Sequence, residues 1–280
     1  GSIKDVKTAG KYAVDITTGK PDPLLPQSIA NWFIVSRAWS VKNGAADAAS
    51  PAQKKEGYAT NHTNGTGPFH LISREAGVKT VLQPYTGWWD KAGHNVTEAV
   101  FRPVKSAATR VAALLSGELD LIYPVPVQDA GRVADTAGFK MLTGTELRTI
   151  FIGMDVTRDE LLHSTVKGKN PFKDIKVRQA LYHAIDVDAI REKVMRGTST
   201  PAGLLIGPGI NGFKQAMNGR LAYDPAKAKS LLADAGYGQG FGVGMDCTND
   251  RYVNDAAICT AVAQYPTLFI TPTLSTVSEE

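Results

Sequence analysis

The chain has 280 residues, 43% hydrophobic and 21% charged, with 31 Lys and Arg against 27 Asp and Glu for a net charge of +4. This is the balance of a folded protein and more chain than one ordinary compact core holds, which excludes a disordered tail and points to two lobes. The basic residues are scattered rather than gathered in a stripe, which argues against nucleic acid as a partner. No apolar run approaches the ~20 residues that span a bilayer.

Gly1-Ser2 reads as the remnant of a cleaved tag, so a signal peptide is not expected at this start and its absence carries no weight. The segment from Tyr12 to Ile16 alternates apolar and polar residues as a strand does, and the prolines between Pro21 and Pro26 then break the chain. Asn43 to Thr66, rich in small and polar residues, reads as a surface excursion. Phe69–Ser73 and Lys79–Gln83 flank Glu75-Ala76-Gly77, a hairpin signal with a glycine available for positive φ. Ala99–Val104 predicts a short strand, and Ala107–Ser116 a helix that ends at Gly117. Leu119–Tyr123 predicts another strand, followed by a helix around Asp129–Ala137. That βαβα order favours an α/β lobe, in which ligands sit beyond the strand ends.

The second half carries the clearest helices. Asp174 caps a helix with the apolar stripe Val177, Leu181, Ala184 and Ile185, and a further helix runs from about Asp188 to Arg196 and stops at Gly197. Thr200–Gly212 is a loop rich in Gly and Pro. Asp224 is a natural N-cap, Pro225 suits the first helical turn and Gly236 suits the position after the last. Between them Ala228, Leu231, Leu232 and Ala235 form one buried face. The glycines from Gly236 to Gly244 read as a plain turn, because no Lys and no immediate helix make them a phosphate loop.

Nothing advertises catalysis. There is no Gly-x-Ser-x-Gly, no His-Glu-x-x-His and no phosphate-loop motif, and the five histidines are scattered without an i, i+4 pair. His183, beside an apolar stripe, reads as structural, and Asp186 and Asp188 read as helix caps rather than paired catalytic carboxylates. Arg178 is expected in a structural ion pair. Cys247 and Cys259, twelve positions apart, read in a secreted chain as a disulfide closing a short loop; two separately buried thiols are the other reading. No metal site and no cofactor are expected.

From Gly65 to Phe69 the chain resembles the family 5 extracellular solute-binding proteins of ABC importers, the oligopeptide, dipeptide and nickel binders. The likeness continues through Tyr85 and Trp88-Trp89, the strand and helix Val100–Ile122, and most strongly Asn170–Asp186, then Gly197, Thr200-Pro201 and Tyr223–Lys229. It runs from about Asp5 to Gln264. Members are considerably longer, so the chain is expected to be a central fragment. The helix Asn254–Gln264 is interrupted by Tyr265-Pro266, and Leu268–Glu280 matches nothing in the family pattern.

The resemblance implies a class II periplasmic-binding-protein-like α/β fold with two mixed-sheet lobes, both incomplete. Residues 1–147 would belong to the first lobe and 148–280 to the second. It also implies binding of a peptide or similar small solute between the lobes, with no enzymatic activity. The partner would be a permease in the inner membrane, and the location periplasmic, or extracellular and lipid-anchored in a Gram-positive source. By likeness, Tyr123, Pro124 and Val125 lie at the wall of the first lobe, and Arg148–Phe151 at the crossing into the second. Asn31 and Trp32, with Phe33, are a third candidate, because aromatic surfaces suit short peptides. The polar run Asp246–Tyr252, including Asn249, would reach the cleft if a Cys247–Cys259 bridge pins it. Trp88 and Trp89 are expected to anchor the hairpin. A ligand-sensing regulatory module of the same fold and an α/β hydrolase remain as alternatives. A fragment with exposed sheet edges is also expected to self-associate.

Overall fold

In the computed structural model the described residues are 2–47, 56–144, 146–249, 251–265 and 270–277. The middle of the Asn43–Thr66 excursion and Asp250 lie outside them. The chain divides between Pro103 and Val104 into two units, each with its own internal packing.

The first unit is built on short antiparallel pairs. β1 (Ile3–Thr8) pairs with β2 (Val14–Thr18), the strand signalled by the alternation after Tyr12. Three short helices follow: α1 (Leu25–Ser28), α2 (Arg37–Lys42), capped by Ser36, and α3 (Tyr58–Asn61). The hairpin then appears as β3 (Phe69–Glu75) and β4 (Lys79–Pro84), with Gly77 at φ 73° in the turn. β5 (Ala99–Phe101) adds antiparallel to β4, giving the order β3-β4-β5. The indole N–H groups of Trp88 and Trp89 both donate to the carbonyl of Thr66, at 3.0 and 3.1 Å. The pair therefore anchors the hairpin's lead-in, as the sequence suggests.

In the second unit α4 (Ala107–Leu115) is capped by the Ser106 hydroxyl and packs against α5 (Ala130–Asp135) through Val111, Leu114 and Val133. Leu119–Tyr123 is not a strand. It runs as irregular chain with Leu121 and Tyr123 facing solvent, because a strand needs a neighbour to take its backbone hydrogen bonds and none of the described strands pairs with it.

The main core forms between α6 (Ile175–Ala184) and a later helix. Asp174 caps α6 by accepting the N–H of Lys176, and Val177, Ala180 and Ala184 are buried along one face. Ahead of it the buried Asn170 is fully used. Its amide donates to the carbonyls of Asp155 and Arg158, and its oxygen accepts from Phe172 N–H. Arg178 is structural, though not through the expected ion pair: its guanidinium donates to the carbonyls of Phe172 and Lys173. His183 donates from Nδ1 to the carbonyl of Ala222 at 2.7 Å.

Asp186 caps α7 (Val187–Ala189), which continues directly into a wider π turn at Ile190–Val194. Arg196 (φ 49°) and Gly197 (φ 75°) then end the helix where the sequence places its stop. α8 (Pro225–Asp234) has the predicted Asp224 cap and Pro225 start, and lays Ala228, Leu231 and Leu232 against Val177, Phe172 and Phe241.

β6 (Phe241–Thr248), α9 (Asp255–Ala263) and β7 (Ile270–Val277) complete the unit as a strand, helix and parallel strand. The glycine-rich stretch is thus only partly a turn, since from Phe241 it is strand. Its glycines have a steric reason. A Cβ on Gly242 would lie 2.7 Å from Thr165 Cγ2, and one on Gly244 would lie 2.6 Å from His163 Cβ. The 163–165 segment crosses β6 closely there, bonding Thr165 N–H to Gly242 O and Gly244 N–H to His163 O. The tail that resembles nothing in the family pattern supplies β7, whose eight residues pair in register with β6.

Gly244→Val should therefore push the 163–165 segment off β6. We expect a loss of about 1–3 kcal/mol in stability, the scale of overpacking a close contact, read as a lower urea midpoint.

Candidate functional site: the loop between β6 and α9

β6 ends at Thr248 and α9 begins at Asp255, so the intervening loop lies at the carboxyl end of a parallel strand, where α/β folds place their ligands. Two ties hold it. Cys247 and Cys259, both buried, are bonded across the strand and the second turn of the helix, with their Cα atoms 6.3 Å apart. The second tie is the buried carboxylate of Asp255. Its Oδ2 accepts the backbone N–H groups of Arg251 and Tyr252, each at 3.1 Å, and its Oδ1 accepts that of Ala256 at 2.8 Å. Burial works against ionisation here. The Thr248 hydroxyl and the N–H groups of Tyr252, Ala256 and Arg251 outweigh it, and hold the Asp255 carboxyl below the usual carboxylate range.

Held in this way, Tyr252 presents its ring to two cations. The guanidinium carbons of Arg148 and Arg251 each lie 5.4 Å from the ring centroid, and Arg251 Nε donates to the Tyr252 hydroxyl at 2.9 Å. Arg148 is also paired through Nε with Glu146 at 3.0 Å. On the other side of the loop, Gln128 donates to the side-chain oxygen of Asn254 at 2.8 Å, while the amide of Asn254 donates to Val194 O. A depression of about 550 Å³ opens beside this junction, lined by Gln128, Lys193, Arg196, Asn254 and Thr260 among others.

These contacts gather several of the sequence candidates into one region of the second unit. Arg148–Phe151 and Asp246–Tyr252, more than ninety residues apart, meet through the Arg148–Tyr252 contact. Phe151 is 65% exposed, and Asp246 and Asn249 are also exposed. Tyr123 is 79% exposed, next to the half-buried Pro124, whose carbonyl accepts from Arg110. Val125 points instead into the α4–α5 core, against Val111, Leu114 and Val133. Asn31 and Trp32 lie in the first unit, on an exposed stretch that continues through Phe33, which is 92% exposed. Among the described residues, no three His, Cys, Asp or Glu side chains converge as metal ligands would.

Arg148 opens and Tyr252 closes runs that the sequence puts forward, without a role of their own there, and Asp255 is missed by sequence reasoning. The available signal was Asp255 as the first acidic residue of α9, a position that stabilises a helix start and can equally cap the loop before it.

The linkage at Asp255 has a definite sign. A carboxyl with a depressed folded-state pKa contributes stability that is complete above its unfolded value of about 3.9 and is lost as pH falls through the folded value. Asp255→Asn should cost about 1–3 kcal/mol at neutral pH, since it places an amide against backbone donors. It should also flatten the acid side of a Tm-against-pH curve; a variant curve parallel to wild type would contradict this account.

The comparisons with known proteins agree with this architecture. The chain is 31% identical over 180 residues to the glutathione-binding protein GsiB of Salmonella paratyphi A, a match that covers 64% of this chain and 33% of that protein. Among solved structures it superposes with TM-score 0.73 and 25% identity on the binding protein AgaA in complex with agropinic acid from A. tumefaciens R10, covering 99% of this chain and 52% of AgaA. The oligopeptide-binding protein AppA of Bacillus subtilis, in complex with a nonapeptide, gives TM-score 0.74 at 19% identity, covering 99% of this chain and 54% of AppA. The chain thus spans about half the length of these structures, and its fold is part of a periplasmic-binding-protein-like α/β architecture. The model of the bacterial extracellular solute-binding proteins, family 5 Middle, matches residues 1–270, and the chain belongs to that family.

Proposed function

We propose that this chain is part of a solute-binding component of an ABC importer, taking a short peptide or similar small solute between two lobes that meet near residues 147 and 148. The observation that carries the reading is the loop at the carboxyl end of β6. It is pinned by the Cys247–Cys259 bond and by Asp255, and its half-buried Tyr252 meets the exposed Arg148, three positions before the exposed Phe151. Tyr123, Pro124, Asp246 and Asn249 would line the same cleft; Asn31 and Trp32 are kept as solute-contacting candidates of the first unit by itself. In such a cleft polar groups orient the solute, apolar and aromatic surface supplies affinity, and lobe closure follows from tighter binding to the closed state.

The relatives are solute-binding proteins, and the side-chain chemistry favours binding over hydrolysis. The imidazoles of His62 and His183 bond backbone carbonyls and that of His94 faces the N–H of Val96. No histidine among the described residues is hydrogen-bonded to a Ser, Asp or Glu side chain of the kind a hydrolase needs. No helix among the described residues is long and apolar enough to cross a membrane. The same reading puts the protein outside the cytoplasm, with a membrane permease as its partner.

The test is native against denaturing mass spectrometry of the protein as purified, with thermal shifts against short peptides, glutathione and opines. A bound mass lost on denaturation, or a Tm rise with one of these solutes, is the expected result. A clean unliganded mass with no shift across the panel would overturn the proposal for this chain. Its exposed apolar residues, Phe33 and Ile34 foremost, should also drive self-association. Light scattering at high concentration is expected to give a mass above the monomer, and a monomer would count against it.

A further inference from the structure

We propose that Asn64 is a site of spontaneous deamidation, through a cyclic imide formed with Gly65, and that the product loosens the lead-in to the β3–β4 hairpin.

Four Asn-Gly steps occur in the chain: Asn43-Gly44, Asn64-Gly65, Asn211-Gly212 and Asn218-Gly219. In each, a glycine without a Cβ leaves its backbone nitrogen open to close on the asparagine side chain. That nitrogen attacks the Asn Cγ, a new N–C bond forms, and the side-chain nitrogen leaves as ammonia. Water then opens the imide at either carbonyl. One opening gives aspartate; the other gives isoaspartate, with the backbone rerouted through the side chain. No oxidant or reductant takes part.

The fold treats the four steps differently. At Asn43 the side-chain amide donates to Trp39 O at 2.9 Å and Gly44 N–H donates to Val41 O at 3.3 Å, so both reacting groups are tied at the end of α2. At Asn218 the side-chain oxygen accepts the N–H groups of Gly203 and Leu204, at 2.9 and 3.2 Å. Asn211 is exposed, but Phe213 N–H donates to Ile210 O at 3.0 Å and Gly212 has φ 93°, which makes these two residues the centre of a type II turn. There a ψ of about +120° at the asparagine turns the glycine nitrogen away from its side chain. Asn64 has none of these restraints. It is exposed and lies outside any helix, strand or turn. Among the described residues, neither its side chain nor the Gly65 N–H has a hydrogen-bond partner.

The step also sits between two anchors. Thr63 Oγ1 accepts the N–H of Leu71 at 3.3 Å, and Thr66 O accepts both indole N–H groups of Trp88 and Trp89. Isoaspartate at position 64 lengthens the backbone between them by one methylene, and either product adds a negative charge.

The test is peptide mapping by mass spectrometry of the full chain held in warm, mildly alkaline buffer, with labelling by an isoaspartate-specific methyltransferase. All four steps are read in one digest. Conversion at Asn64 should run at least about tenfold ahead of Asn43 and Asn218, the factor that one net hydrogen bond is worth when it must open first. Asn211 should also lag, and in urea the four rates should converge. Gly65→Ala, whose added Cβ meets nothing within 4 Å, should slow conversion at Asn64 without lowering stability. Aged wild type should show a lower urea midpoint than equally aged Asn64→Gln. Asn43 or Asn218 converting as fast as Asn64 in the folded chain, or an order that persists in urea, overturns the site. Conversion at Asn64 that leaves the urea midpoint unchanged overturns its effect on the hairpin.

Discussion

A buried carboxylate must find hydrogen-bond donors or lose its charge, and the way Asp255 satisfies this requirement organises the β6–α9 end of the second unit. Its two oxygens take backbone N–H groups from both sides of the β6–α9 junction, so the loop's path and the helix start are set by the same group. Asn254, the residue before it, adopts a left-handed conformation at φ 60° and uses its side chain to reach Gln128 and Val194. The disulfide adds a covalent limit to the same segment. A loop constrained by three kinds of bond holds Tyr252 in one orientation.

The remainder of the second unit supports that loop. β6 can lie under it only because the 163–165 segment passes close to Gly242 and Gly244, and because β7 takes its other edge. The α6–α8 core, with Phe172 and Phe241 in contact, anchors the start of β6. Tyr265 closes the far end of α9, packing against both hydrophobic clusters and donating to the carbonyl of Asp186. The first unit is held differently, by hairpin pairing and the Trp88 and Trp89 anchors, and it leaves the run Trp32 to Val35 exposed. That contrast fits a chain that holds about half the length of its structural relatives.

Local chemistry made much of this legible in advance. Caps at Asp174, Asp186 and Asp224, the Pro225 start, the Gly77 turn and the stripes of α6 and α8 depend on residues within a few positions of one another, and all are present. The two errors in element type share a cause. Leu119–Tyr123 has the composition of a strand but no neighbour to pair with, and Phe241–Gly244 has the composition of a turn but two neighbours that demand a strand. Hydrogen-bonded sheet is a property of pairs, and composition along one segment carries only half of it.

The sequence by itself determined the family, through motifs whose order and spacing survive over most of the chain, and with the family the kind of fold. It also determined the caps that start α6, α7 and α8 and the residue types available at the end of β6. Only the tertiary structure decided that Arg148 stands over Tyr252, that Asp255 holds the loop, that Cys247 and Cys259 are bonded, and that Val125 faces a core. The reason is that these are contacts between segments far apart along the chain or facing directions set by packing. Periodicity reports which face of an element is apolar, but not which distant side chain that face, or the loop beside it, will meet.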